Sequence, residues 1–165
     1  MSLHDTLVWL QNTKMATTIS ESPWMFPTLE SIHVLAITFV VGSIAVVDLR
    51  LLGIAGRDQK ITRLTEDILP WTWLAFVIAA IAGFLLFSSQ AVAYFDNLPF
   101  RLKFGFMVLA GINMLVFQFI TFKNVAKWDE SLPTPLAVKI AGAFSLGLWV
   151  CVVAAGRWIG FTMFG

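Results

Sequence analysis

Four long apolar segments, separated by shorter polar stretches, dominate the pattern of the sequence. They cover about Pro27–Val47, Pro70–Phe95, Phe104–Phe122 and Leu136–Phe164. Each is close to or above the ~20 residues that an α-helix needs to cross a hydrocarbon layer of about 30 Å. A membrane-spanning strand would need only about ten residues of alternating polarity. The pattern therefore predicts an all-α fold, a four-helix transmembrane bundle with helices at about 27–50, 70–95, 100–123 and 136–164.

The first 22 residues are more polar and form a separate N-terminal segment, 1–22, before the transmembrane domain, 23–165. Leu3, Leu7 and Leu10 recur there at helical spacing, which predicts one N-terminal amphipathic interfacial helix over 3–19. The segment lacks the compact apolar core and small-residue cleavage site of a signal peptide, so we expect the mature chain to begin at Met1. Pro70 is expected at a helix start, after a solvated loop over 57–67 that has room for one helical turn.

Composition supports a membrane protein and excludes some functions. Of 165 residues, 58% are hydrophobic and 13% charged, and the mean hydropathy is +0.82. A soluble domain of this length has too little interior for so much apolar surface, so the lipid bilayer is the expected partner. The net charge of +1 gives no basic surface for nucleic acid. The single cysteine, Cys151, lies in an apolar run and is expected to be a buried, inert thiol.

The distribution of lysine and arginine predicts the orientation in the membrane. Seven of the 11 lie in the first and third connections, and four lie in the N-terminal segment, the second connection and the C-terminal end. Because the side richer in these residues is usually cytoplasmic, both termini are expected on the outer side. In a Gram-negative cell this places the chain in the bacterial inner (plasma) membrane with periplasmic N- and C-termini.

His33 is an ionisable residue about two turns inside the first apolar segment, and Glu30 precedes it on the same helical face. Such a residue costs roughly 2.5–3.5 kcal/mol at the centre of a membrane helix, which favours a functional role. The predicted topology brings Arg101, Lys103 and Arg157 to the same leaflet. At about 100° per residue, His33 shares an inward stripe with residues further along its helix, Ile37, Ile44 and Asp48.

This combination resembles the haem sites of small membrane b-type cytochromes. Haem b needs an axial imidazole, a flat apolar slot and cations for two propionates. His33 would ligate the iron, and Arg157, Arg101 and Lys103 would bind the propionates. The slot would lie among helices 1, 3 and 4, near Trp149. The sixth position is open, or is filled by Met107 or by His33 of a second subunit.

Other interpretations stay open at this stage. His33 could be purely structural, hydrogen-bonded to Glu30 or to a backbone carbonyl, in a cofactor-free scaffold or assembly protein. The Glu30-x-x-His33 pair could bind copper or zinc between subunits. A transporter is less favoured because polar residues deep in the layer are few, and Asn113 fits a hydrogen bond between helices. Asp48 is expected to pair with Lys123, Lys139 or Gln118.

Three stretches carry a resemblance to a known family. They are Trp24-Met-Phe-Pro-Thr-Leu-Glu-Ser-Ile-His33, Gly42-Ser-Ile-Ala-Val-Val-Asp-Leu-Arg-Leu-Leu-Gly53, and Ser145-Leu-Gly-Leu-Trp149 leading to Gly156-Arg157. Together they resemble small, uncharacterised four-helix bacterial inner-membrane proteins. More distantly the chain is similar to CopD-like and di-haem cytochrome b membrane domains. That similarity implies a haem-bearing bundle and electron transfer. A quinone or another redox partner stays open at this point, as does an oxidoreductase activity, since the sequence establishes neither an open iron position nor a quinone pocket. One histidine in four helices also favours a homo-oligomer.

Overall fold

The computed structural model describes residues 2–56, 58–121, 125, 129 and 134–163, and all the regular structure in them is helical. A five-residue π-helix, Phe117–Thr121, continues α6. The all-α prediction is confirmed. The α-helices are, in chain order, α1 Leu3–Gln11, α2 Lys14–Glu21, α3 Met25–Leu51, α4 Ile61–Ser89, α5 Ala91–Asp96, α6 Leu98–Val116 and α7 Leu136–Met163.

Four of these helices are long and apolar enough to cross a membrane. They are α3, α4, α6 with most of the π-helix (Leu98–Ile120), and α7, of 27, 29, 23 and 28 residues. Large apolar side chains point away from the protein along each of them; Leu35 on α3 is 71% exposed and Val108 on α6 is 60% exposed. Because so much exposed apolar surface is unfavourable in water, the helices indicate a multi-pass membrane protein with lipid around it.

The helix α4 begins at Ile61, nine residues before Pro70, so the expectation of a loop over 57–67 was wrong beyond residue 60. Hydropathy marks the apolar part of a helix and misses its polar first turns. Here Asp129, far along the chain, holds that end in place: its carboxylate accepts hydrogen bonds from the Thr62 N–H at 3.0 Å and the Thr62 hydroxyl at 2.6 Å. Pro70 therefore lies inside the helix, where membrane proteins tolerate proline better than soluble ones do.

The N-terminal segment forms two helices rather than the single one expected. α1 ends at Gln11, and the Thr13 hydroxyl caps α2 by accepting from the Ala16 N–H at 3.4 Å. Both helices pack on protein: α1 lies against α5 and α2 against α4, and Leu7 and Ile19 are buried. The segment is thus docked on one end of the bundle, and its outward side chains include Trp9, which is 63% exposed.

The bundle consists of two helix pairs. α3 packs along α4, α6 packs along α7, and the pairs meet mainly where α3 contacts α7. We call the boundary between the pairs the seam. Asn113 on α6 donates to the Ala141 carbonyl of α7 at 3.1 Å, in agreement with the predicted bond between helices. Gly142 allows α3 and α7 to approach closely, since an added Cβ would lie 3.2 Å from the Asp48 carbonyl oxygen.

One further expectation differs from the structure. Cys151 is exposed on α7 and is not buried. The third helix is α-helical to Val116 and continues as the π-helix to Thr121, two residues before its expected end at residue 123. The predicted end residues 122, 123 and 164 lie outside the described residues.

Arg50 lies at the end of the bundle where α3 ends and α7 begins. We call this end the loop end. Arg50 is 1% exposed. Its Nε donates to the Gln59 carbonyl at 2.8 Å and its Nη2 to the Asp129 carbonyl at 3.3 Å, so one side chain joins both connecting segments to α3. Beside it, Leu51, Ile61 and Val138 form a buried apolar cluster.

Replacing Arg50 with alanine is expected to lower the free energy of unfolding in detergent by about 3 kcal/mol, because two charge-assisted hydrogen bonds and the packing of a buried side chain are lost. Arg63→Ala is the matched control, since Arg63 is exposed on α4, and should change it by less than about 0.5 kcal/mol. Equal effects of the two variants would contradict the role assigned to Arg50.

Asp129 is expected to make stability depend on pH in acid. Partial burial alone would raise its pKa, but the hydrogen bonds from Thr62 and the backbone, with the charge of Lys60, lower the pKa below its ordinary value. A carboxyl with a depressed folded-state pKa stabilises the fold fully above its unfolded pKa of about 3.9, and loses that contribution as the pH falls through the folded-state pKa. The stability difference between wild type and Asp129→Asn should be constant at pH 5–8 and should shrink below about pH 4.

Candidate functional site

The His33 imidazole is half-buried between α3 and α4. Its Nδ1 lies 2.8 Å from the Ala79 carbonyl oxygen, and because a carbonyl only accepts, Nδ1–H is the donor. One turn further along α4, Gly83 makes room for the ring: an added Cβ would lie 2.8 Å from His33 Cε1 and 3.1 Å from Nδ1. Ala79 and Gly83 therefore fix both the orientation and the tautomer of His33.

The other ring nitrogen faces the seam. With Nδ1–H donating, Nε2 of the neutral ring carries a lone pair. The Lys103 ammonium of α6 lies 3.5 Å from Nε2 and donates to it. The Lys103 side chain also passes over Gly156 of α7, where an added Cβ would lie 3.7 Å from Nζ. Helices α3, α4, α6 and α7 thus all contribute to one site around His33 Nε2.

The charge of Lys103 has no carboxylate partner within the part of the chain that the structure describes. Its one recorded polar partner there is the uncharged imidazole. Glu30, the carboxylate that the sequence places nearest to His33, is exposed and has no recorded contact with Lys103. A half-buried ammonium without a counterion is costly in an apolar layer.

The structure separates the other residues predicted for the site. Arg101 is exposed, and its Nη2 donates to the Asp96 carbonyl at 3.4 Å. Arg157 is also exposed, with its guanidinium carbon 5.4 Å from the centre of the Phe161 ring. Met107 and Trp149 are half-buried on α6 and α7. Of the predicted set, only His33 and Lys103 have a recorded polar contact with each other.

An aromatic cluster lies at the same end of the bundle. Phe87 and Phe100 stack with ring centres 5.4 Å apart and an interplanar angle of 8°, and Phe104 and Tyr94 each lie within 5.4 Å of Phe100. Burial raises the pKa of Tyr94, and the charge of Glu30 adds to that rise.

Sequence reasoning missed Ala79 and Gly83, the two α4 residues that hold His33. They form a small-x-x-x-small pair inside an apolar helix, a spacing typical of close helix contacts in membranes. That spacing could have indicated the contact surface of α4. It would not have shown which side chain of α3 packs against it.

A metal site built from several protein ligands is not present in the described residues. No group of three or more histidine, cysteine, aspartate or glutamate side chains lies close enough together to hold an ion. Glu30 is exposed, and no polar contact between Glu30 and His33 is recorded among these residues.

A comparison with protein-family models matches residues 23–162 to DUF6644, a family of unknown function. The chain belongs to this family. The DUF6644 match covers α3 to α7, including His33 and Lys103, and begins after α2. No curated protein and no solved structure matches the chain. The function of this DUF6644 member is therefore inferred from its own residues.

Gly83→Ala is expected to destabilise the protein by about 1–3 kcal/mol, the usual cost of adding a methyl group to a filled site, because the new Cβ displaces the His33 ring. Gly147→Ala on α7 is the control, since nothing lies within 4 Å of its added Cβ. Alanine's higher helix propensity should leave that variant at least as stable as wild type. Thermal unfolding in detergent measures both, and a harmless Gly83→Ala would contradict the close fit.

Proposed function

We propose that this DUF6644 protein is a haem b-binding integral membrane protein that transfers electrons or senses haem or redox state, with Nε2 of His33 as a ligand of the iron. The observation that carries the proposal is the bond from His33 Nδ1–H to the Ala79 carbonyl. Metal-ligating histidines usually donate their second ring N–H to a carbonyl or carboxylate, which fixes the tautomer and raises the basicity of the ligating nitrogen.

The charge of the site supports an anionic cofactor. Lys103 is a half-buried cation without a carboxylate partner among the described residues. Haem b brings two propionates, and the flexible lysine side chain would bind one of them after leaving Nε2. Arg101 and Arg157 lie exposed near the same end of the bundle and are available to propionates at the membrane interface. When bound, the haem iron would supply the reversible one-electron chemistry.

The fit requires one rearrangement in the seam. An iron ligated by Nε2 would stand where the Lys103 ammonium now lies, 3.5 Å from Nε2. The seam separates two helix pairs that meet mainly through α3 and α7, so a flat ligand would enter between the pairs without breaking either pair. The proposal also includes the sixth position of the iron, which is open or is filled by Met107 or by His33 of a second subunit. It further includes a homo-oligomer and a quinone or a protein as the redox partner.

Location forms part of the same proposal. The excess of lysine and arginine in the first and third connections supports the bacterial inner membrane with both termini on the periplasmic side. His33 then lies in the outer leaflet, about 9 Å below the residue that opens the apolar segment, at ~1.5 Å per residue. Electrons would be exchanged near the periplasmic surface.

A second candidate is a cofactor-free scaffold or assembly protein. Both ring nitrogens of His33 already have hydrogen-bond partners, Ala79 and Lys103, so no cofactor is required to satisfy the imidazole. A copper or zinc site of Glu30 and His33 is less favoured, because the described residues bring no third potential ligand to this pair, and a second subunit would have to complete the ligand set.

The absorption spectrum of protein purified from haem-replete cells tests the proposal. Wild type should show a Soret band, and reduced α and β bands, at no more than one haem per His33. His33→Ala should lose at least 90% of the haem, roughly a tenfold loss of affinity or more. His4→Ala is the matched control, because His4 is the other histidine of the chain and is exposed on α1.

Two results would contradict this proposal. If wild-type protein is colourless and also takes up no haem on titration, the haem proposal is wrong and the scaffold interpretation is favoured. Full haem content in His33→Ala would remove His33 as the ligand.

A further inference from the structure

Asp48 is a buried carboxyl group at the loop end of α3, on the same helix as His33 but 15 residues later, or about 22 Å along the axis at ~1.5 Å per residue. It is 4% exposed. Among the residues that the structure describes, its Oδ2 has no hydrogen-bond partner. An unsatisfied carboxyl oxygen inside a membrane helix is rare enough to need an explanation.

The partners of Asp48 are few. Its side chain hydrogen-bonds Ser145 of α7, and Gly142, one turn earlier, brings α7 against the Asp48 backbone. Arg50 turns away to the connecting segments. Lys139, which the sequence favoured as a partner, makes no recorded ion pair with Asp48, and Gln118 is exposed; Lys123 lies outside the described residues.

The charged groups on the neighbouring helices leave Asp48 uncompensated. No described cation or second carboxylate has a recorded interaction with its side chain. On α4, the helix that packs along α3, the charged side chains near this end are exposed: Arg63, Glu66 and Asp67. An ionised carboxylate without a partner is far more costly in an apolar interior than the neutral acid.

A bound cation explains the site less well than a proton. Hard cations such as Ca²⁺ and Mg²⁺ take six or more oxygen ligands in proteins, several of them charged or from water. Around Asp48 the described side chains offer its own two oxygens and the Ser145 hydroxyl. A proton needs only one oxygen and a neighbouring acceptor, and it removes the charge.

We propose that Asp48 and Ser145 form a proton-binding site in the seam, in which the Asp48 carboxyl holds a proton at neutral pH. The proton comes from water at the loop end, an O–H bond forms on one carboxylate oxygen, and no electrons move. The neutral acid hydrogen-bonds Ser145 and leaves an uncharged carbonyl oxygen at Oδ2. Loss of the proton would place an uncompensated charge between α3 and α7, at a high cost in desolvation. This site does not depend on haem at His33.

Infrared spectroscopy of the haem-free protein in lipid at pH 7 tests the inference. Wild type should show the C=O stretching band of a protonated carboxyl group, shifted down in D₂O. Asp48→Asn should abolish the band. Asp129→Asn is the matched control, because Asp129 accepts hydrogen bonds as a carboxylate at the same end, and the band should persist in it. Ser145→Ala retains Asp48 and should move the band to higher frequency, since the hydrogen bond is lost.

The proposal is overturned if wild type lacks the band, or if the band persists in folded Asp48→Asn. If Asp48→Asn does not fold, the Ser145→Ala spectrum decides alone: a shifted band supports the site and an unchanged band refutes it. A failure here leaves the His33 proposal unaffected, and colourless protein leaves this one unaffected.

Discussion

The structure depends on one constraint: hydrocarbon offers no hydrogen-bond partners, so each polar side chain on a spanning helix needs one from another part of the protein. Most of the bundle obeys it. The Thr72 hydroxyl of α4 donates to Ser43 of α3 at 2.8 Å, and Asn113 joins α6 to α7. His33 does the same with the Ala79 carbonyl. These bonds pair α3 with α4 and α6 with α7, which leaves the seam as the less tightly bonded boundary.

Two groups meet the constraint only in part, and both lie in the seam. Lys103 has a hydrogen bond to an uncharged ring but no counterion among the described residues. Within the same part of the chain, Asp48 hydrogen-bonds Ser145, whereas its Oδ2 has no partner. Satisfied polar groups hold a membrane protein together, whereas incompletely satisfied ones mark places where something else binds. In this account the missing partner is an anionic cofactor beside His33 and a proton on Asp48.

Much of the architecture could be predicted from the sequence because the bilayer imposes a length on each apolar helix. The four spans and the inward position of His33 and Asp48 follow from that length and from helical phase. The start of α4 could not be predicted, since its polar turns are held by Asp129, more than sixty residues away in the chain. The split of the N-terminal segment depends on the local cap at Thr13.

Of the candidate site, only its depth in the membrane could be predicted from the sequence. Topology put His33 and Lys103 at one level, but the direct contact between them depends on how the two helix pairs meet. Glu30 shows the limit of arguments from helical phase: it is on the face predicted for His33, but it is exposed and has no recorded polar contact with His33 in the described part of the chain. Ala79 and Gly83 were missed because small residues carry no chemistry that draws notice in a sequence.

The central claim is that His33 Nε2 is a ligand position and that Lys103 occupies it only until a cofactor binds. A crystal structure in lipid of protein purified from haem-replete cells tests it most directly. The account predicts planar porphyrin density against His33 Nε2, with Nδ1 still bonded to the Ala79 carbonyl and the Lys103 ammonium turned toward a propionate. A seam closed by apolar side chains, with Lys103 still donating to Nε2 and no porphyrin present, would contradict it.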